Sequence, residues 1–75
     1  MLYVIMRYDL NDKFLESTDL TSGKNMTFKE VVNYIYDYYG DKVIFRGAEY
    51  SRFLKSVVYN YRSNSFKYSI FIYDK

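Results

Sequence analysis

The sequence predicts a single small α+β domain. A three- or four-stranded, mainly antiparallel sheet packs against one amphipathic helix, in the order strand, helix, strand, short helix or turn, strand, strand. Three observations carry this prediction. The stretch Met26 to Gly40 carries a helical apolar period with punctuation at both ends. The tail from Val57 to Tyr73 alternates in the period of a hairpin, and Leu2 to Tyr8 alternates in the same way. A chain of 75 residues has room for one domain.

In Leu2 to Tyr8, Leu2, Val4, Met6 and Tyr8 share one face, and Tyr3, Ile5 and Arg7 the other. Both faces are largely apolar, as expected of a strand inside a sheet rather than at its edge. Asp9 to Asn25 is polar and carries turn chemistry at Asn11-Asp12 and Thr21 to Asn25. It reads as a surface loop tacked down by Phe14, Leu15 and Leu20.

The helix comes next. Thr27 and Glu30 fit a capping box, Met26 and Val31 a hydrophobic staple, and Gly40 the left-handed residue that ends a helix. Phe28, Val31, Val32, Ile35 and Tyr39 form the buried stripe, with Lys29, Asn33 and Asp37 opposite. Val43 to Arg46 reads as a short strand ended by Gly47. In Ala48 to Ser56 the spacing of Tyr50, Phe53, Leu54 and Val57 favours a short helix or turn.

A hairpin closes the chain, with strands Val57 to Arg62 and Ser65 to Tyr73 around a Ser63-Asn64 tip. The register sets Tyr61 opposite Phe66, Tyr59 opposite Tyr68 and Val57 opposite Ile70. Val57, Tyr59, Tyr61, Phe66, Tyr68, Ile70 and Ile72 then share the face that buries the helix stripe.

Composition narrows the function classes. There is no cysteine and no histidine, which removes disulfides, thiolate chemistry, the commonest general base and the commonest transition-metal ligand. No Ser-His-Asp or Cys-His set exists, and Gly23-Lys24 lacks the rest of a phosphate-binding loop. The carboxylates Asp9 and Asp12 sit in a polar segment and read as solvated. The expectation is a protein without catalytic residues, metal or cofactor.

Met1 to Met6 is apolar but lacks the basic region of a leader and is too short for its apolar region, and no run approaches a membrane span, so a cytoplasmic protein is expected. The use of Asn, Lys, Tyr, Ile and Phe, with one Ala and no Pro, is the bias of an AT-rich genome, which suits a small gene of a phage or mobile element.

Tyrosine at 11 residues and phenylalanine at 6 exceed what so small a core hides, so aromatic surface is expected at an interface. Tyr34 and Tyr38, four apart on the helix, form a ridge on one flank, with Tyr36 on the other. Arg46, Arg52 and Lys55 would meet an acidic partner. The expected activity is therefore protein binding: a homodimer that inhibits a host defence or another host protein by stoichiometric binding. The alternative is single-stranded nucleic-acid or nucleotide binding on the polar face of the hairpin, through Arg62, Lys67, Phe71 and Tyr73.

Overall fold

The computed structural model describes residues 2–21 and 27–73, the side chains of Leu2, Thr21, Phe28 and Tyr73 excepted. It is an α+β domain with one helix and a five-stranded sheet in the order β2-β1-β5-β4-β3. The strands are β1 Leu2–Asp9, β2 Phe14–Thr21, β3 Ile44–Ser51, β4 Ser56–Arg62 and β5 Phe66–Tyr73, and the helix α1 spans Phe28–Tyr39. Every neighbouring pair is antiparallel. The sheet therefore has five strands rather than three or four, and the order is β-β-α-β-β-β.

β1 lies inside the sheet between β2 and β5, as its two apolar faces require. The extra strand is β2, which occupies most of the segment expected to be a loop. Leu2↔Thr21 through Arg7↔Glu16 pair along it. The Asp9 carboxylate closes the β1–β2 turn, its Oδ1 accepting from the amides of Asn11 and Lys13 at 2.9 Å each. β2 is an edge strand, with only Thr18 and Leu20 partly covered among its described side chains. An edge strand needs little apolar alternation, so Glu16, Ser17 and Asp19 disguised it as a loop.

The helix has its expected bounds. Thr27 Oγ1 accepts from the Glu30 amide at 3.2 Å, and Gly40 adopts φ 68 and ψ 29. Val31 and Ile35 are fully buried. Phe28, expected in the same stripe, and Met26, expected in the staple, lie outside the described side chains.

β3 does not end at Gly47. It passes through a bulge between Phe45 and Gly47, where Gly47 takes φ 143, and continues to Ser51. Residues 48–51 are thus extended and 52–55 form the turn, not a helix. The helical spacing of Tyr50 and Val57 had a different cause, because the two are cross-strand partners.

The β4–β5 hairpin is shifted by two residues from the expected register: Tyr61 pairs with Tyr68, Tyr59 with Ile70 and Arg62 with Lys67. The shift follows from Ser63. Its Oγ accepts from the amides of Ser65 and Phe66 at 3.1 and 3.0 Å, and its own amide donates to the Phe66 carbonyl. With Ser63 closed against Phe66, the two-residue tip moves one position along, from the expected Ser63-Asn64 to Asn64-Ser65, and every cross-strand partner moves by two. A shift of two keeps every side chain on its face, so the segregation of the hairpin survives.

The core lies between α1 and the sheet: Tyr3, Ile5, Val31, Ile35, Tyr61, Tyr68 and Ile70, with Tyr59, Phe66 and Ile72 packed against it. β2 and β3 occupy opposite edges, so the β2-α1-β3 connection crosses the sheet.

Candidate functional site

Three surfaces hold the residues singled out from the sequence. The first is the helix. Tyr34 and Tyr38 stack with centroids 5.3 Å apart and planes 12° from parallel, so the ridge exists. Tyr34 is part of the core rim, whereas Tyr38 and Tyr36 are 62% and 52% exposed. Tyr39 turns inward, meeting Tyr68 at 5.5 Å and sharing a hydrogen bond with the Thr18 hydroxyl.

Below the helix end lies a polar network. The Arg7 guanidinium stands 3.8 Å from the Phe66 ring centroid and 4.9 Å from that of Tyr39. Arg7 Nε donates to the Tyr68 hydroxyl at 3.3 Å, and that hydroxyl donates to Asp41 Oδ2 at 2.8 Å. Burial first, then the hydrogen bond to Asp41, pushes the Tyr68 phenol up to about 12. Tyr68 thus remains a neutral donor throughout the physiological range. Tyr61 and Tyr68 are core and Tyr59 and Phe66 pack against it, as expected of the face that buries the helix stripe.

The second surface is the β3–β4 hairpin. It carries Arg46 at the bulge near the start of β3 and Arg52 and Lys55 in the turn at its far end, and all three are exposed. Sequence reasoning missed what surrounds them. Ile44 is 64% exposed, Phe45 57%, Tyr50 63% and Phe53 93%. Phe45 and Tyr50 are on the helix side of the sheet, as their pairing with Tyr61 and Val57 shows, but the helix leaves them uncovered. The signal was present in the sequence as apolar residues within 44–53. It was unreadable without knowing that this strand is an edge.

The third surface is the sheet face opposite the helix. Arg62 and Lys67, taken from the sequence as a pair, are cross-strand partners there. The lining of a concavity of about 380 Å³ includes Asp12, Arg46, Asn60, Arg62, Lys67 and Ser69. A second, of about 360 Å³, shares Arg46 and Arg62 with the first and adds Lys42, Ser63 and Asn64. Lys67 Nζ meets Asp12 Oδ1 at 2.8 Å, and the Ser69 hydroxyl donates to Asn60 Oδ1 at 3.0 Å. Phe71, expected to offer a ring on this face, is only 7% exposed and pairs with Val58, itself 9% exposed. The Tyr73 side chain lies outside the described residues. Asn60 and Ser69 alternate in step with Arg62 and Lys67 and were legible. Arg46 was not, because only the bulge sets its position.

Among the described residues no group of acidic side chains is placed to hold a metal ion, and no helix is long and apolar enough to cross a membrane. No protein-family model, curated protein or solved structure matches the chain.

Proposed function

We propose that this protein works by binding another protein along the β3 edge, without catalysis. The observation that carries the reading is an eight-residue edge strand whose apolar side chains stand in solvent. Such an edge offers unpaired backbone donors and acceptors beside side-chain anchors, the arrangement used in strand addition. Arg46 near its start and Arg52 and Lys55 in the turn beyond its end stand against the single acid Glu49, so the partner presents carboxylates. Stoichiometric occlusion of a host protein, in the setting of a phage or mobile element, needs no more than this surface.

The strand is also self-complementary, which favours a homodimer as the second reading. An antiparallel pairing of two β3 strands centred between Gly47 and Ala48 sets Arg46 opposite Glu49 and Phe45 opposite Tyr50, each pair on one face. In light scattering, Glu49→Arg then separates the dimer, and the exchange Arg46→Glu with Glu49→Arg restores it.

Capture experiments with nuclease-treated lysate decide between the surfaces. Tyr50→Lys abolishes capture of the partner while the fold, read by circular dichroism, is kept. If capture survives Tyr50→Lys and is lost with Tyr38→Ala, the helix ridge is the surface and the β3 reading fails.

A further inference from the structure

We infer that the sheet face opposite the helix is a phosphate track for single-stranded nucleic acid, which shares Arg46 with the β3 edge and is otherwise distinct from it. Cations line up across three adjacent strands: Lys67 on β5, Arg62 on β4 and Arg46 on β3, with Lys42 beyond them. With strands about 4.8 Å apart, the three strand cations span roughly 10 Å. The two concavities share Arg46 and Arg62, so the charge forms a continuous line rather than a single point. That is the arrangement a chain of phosphates needs and a lone phosphate does not. Two of the cations are arginines, whose planar fork suits phosphate oxygens.

Only one carboxylate, Asp12, lines either concavity, and it meets Lys67 from a side chain 75% exposed. A polyanion therefore competes with a weak, solvated ion pair for Lys67. Asn60 and Ser69 also line the first concavity; the Ser69 hydroxyl donates to Asn60 Oδ1, which leaves the amide NH2 of Asn60 as the donor suited to sugar and phosphate oxygens. Tyr8 lines it as well, half-buried and edge-on to Phe14 at 5.8 Å. One shallow lane crossing strands fits a single strand better than a duplex, whose major groove takes a helix or ribbon.

The test is fluorescence anisotropy with a labelled oligothymidylate of about a dozen nucleotides. Binding is expected at low ionic strength and weakens steeply with salt. Arg62→Gln and Lys67→Gln each weaken it several-fold and lower the log–log salt slope by about 1. Asp12→Asn tightens it, because Lys67 loses its competitor. Arg52→Gln, the same charge change in the β3–β4 turn, leaves it within twofold.

The proposal is overturned if the oligomer does not bind at low salt, or if Arg52→Gln costs as much as Arg62→Gln. It is equally overturned if a duplex, a free nucleotide or polyglutamate binds as tightly as the single strand. Tyr50→Lys leaves oligomer binding intact, so this inference and the β3 reading stand or fall separately.

Discussion

Tyr68 joins both halves of the domain through one atom. Its hydroxyl receives Arg7 from β1 and donates to Asp41 after the helix, while its ring closes the core at 1% exposure. A phenol pushed up from 10 to about 12 favours the folded state below pH 10, and that contribution is lost as pH rises through 12. Spectrophotometric titration of the tyrosines is expected to show a last component near pH 12 that coincides with alkaline unfolding and is missing in Tyr68→Phe. The same substitution at neutral pH should cost about 1–2 kcal/mol in urea denaturation, because Asp41 and Arg7 lose a shared partner. At Gly40 an added Cβ meets nothing within 4 Å. Gly40→Ala is therefore expected to cost about 1 kcal/mol, all of it from φ 68.

The helix and the edge strands differ in what holds them. α1 is fixed by a cap at each end and by Val31 and Ile35, both at 0% exposure. Ile35→Ala should lose about 3 kcal/mol, a large part of the few kcal/mol typical of so small a domain, and is expected to melt far below the parent. β3 is held from one side only, by its pairing with β4. Surface substitutions there fall within about 0.5 kcal/mol. Tyr50→Lys should therefore leave the melting temperature nearly unchanged, and a large drop would mean that Tyr50 is structural. The ends of the helix and its buried Val31 and Ile35 were legible because their signals are local: a cap, a period and a glycine. β2 was not, because polarity along an edge strand carries no period. β3 was half legible: Val43 to Arg46 gave its start, but the glycine that reads as an end is a bulge.

At the scale of the whole molecule, the connection from β2 to β3 spans the sheet, so one helix covers the middle strands and leaves β3 open on both faces. That geometry produces the exposed Phe45 and Tyr50 and the bare cationic face. Hydrogen exchange should follow it, slowest in β1 and β5 and fastest in β2 and β3. The sequence by itself determined the α+β class, the helix and its ends, the inner position of β1, and which hairpin residues share a face. Each of these follows from periodicity or from backbone preferences that act over a few residues. Only the tertiary structure decided the number of strands, the two-residue shift at Ser63, and the meeting of Arg46 with Arg62 and Lys67. Those depend on which distant segments pair, and pairing is settled by the burial of shared faces and the closure of backbone hydrogen bonds across the whole chain.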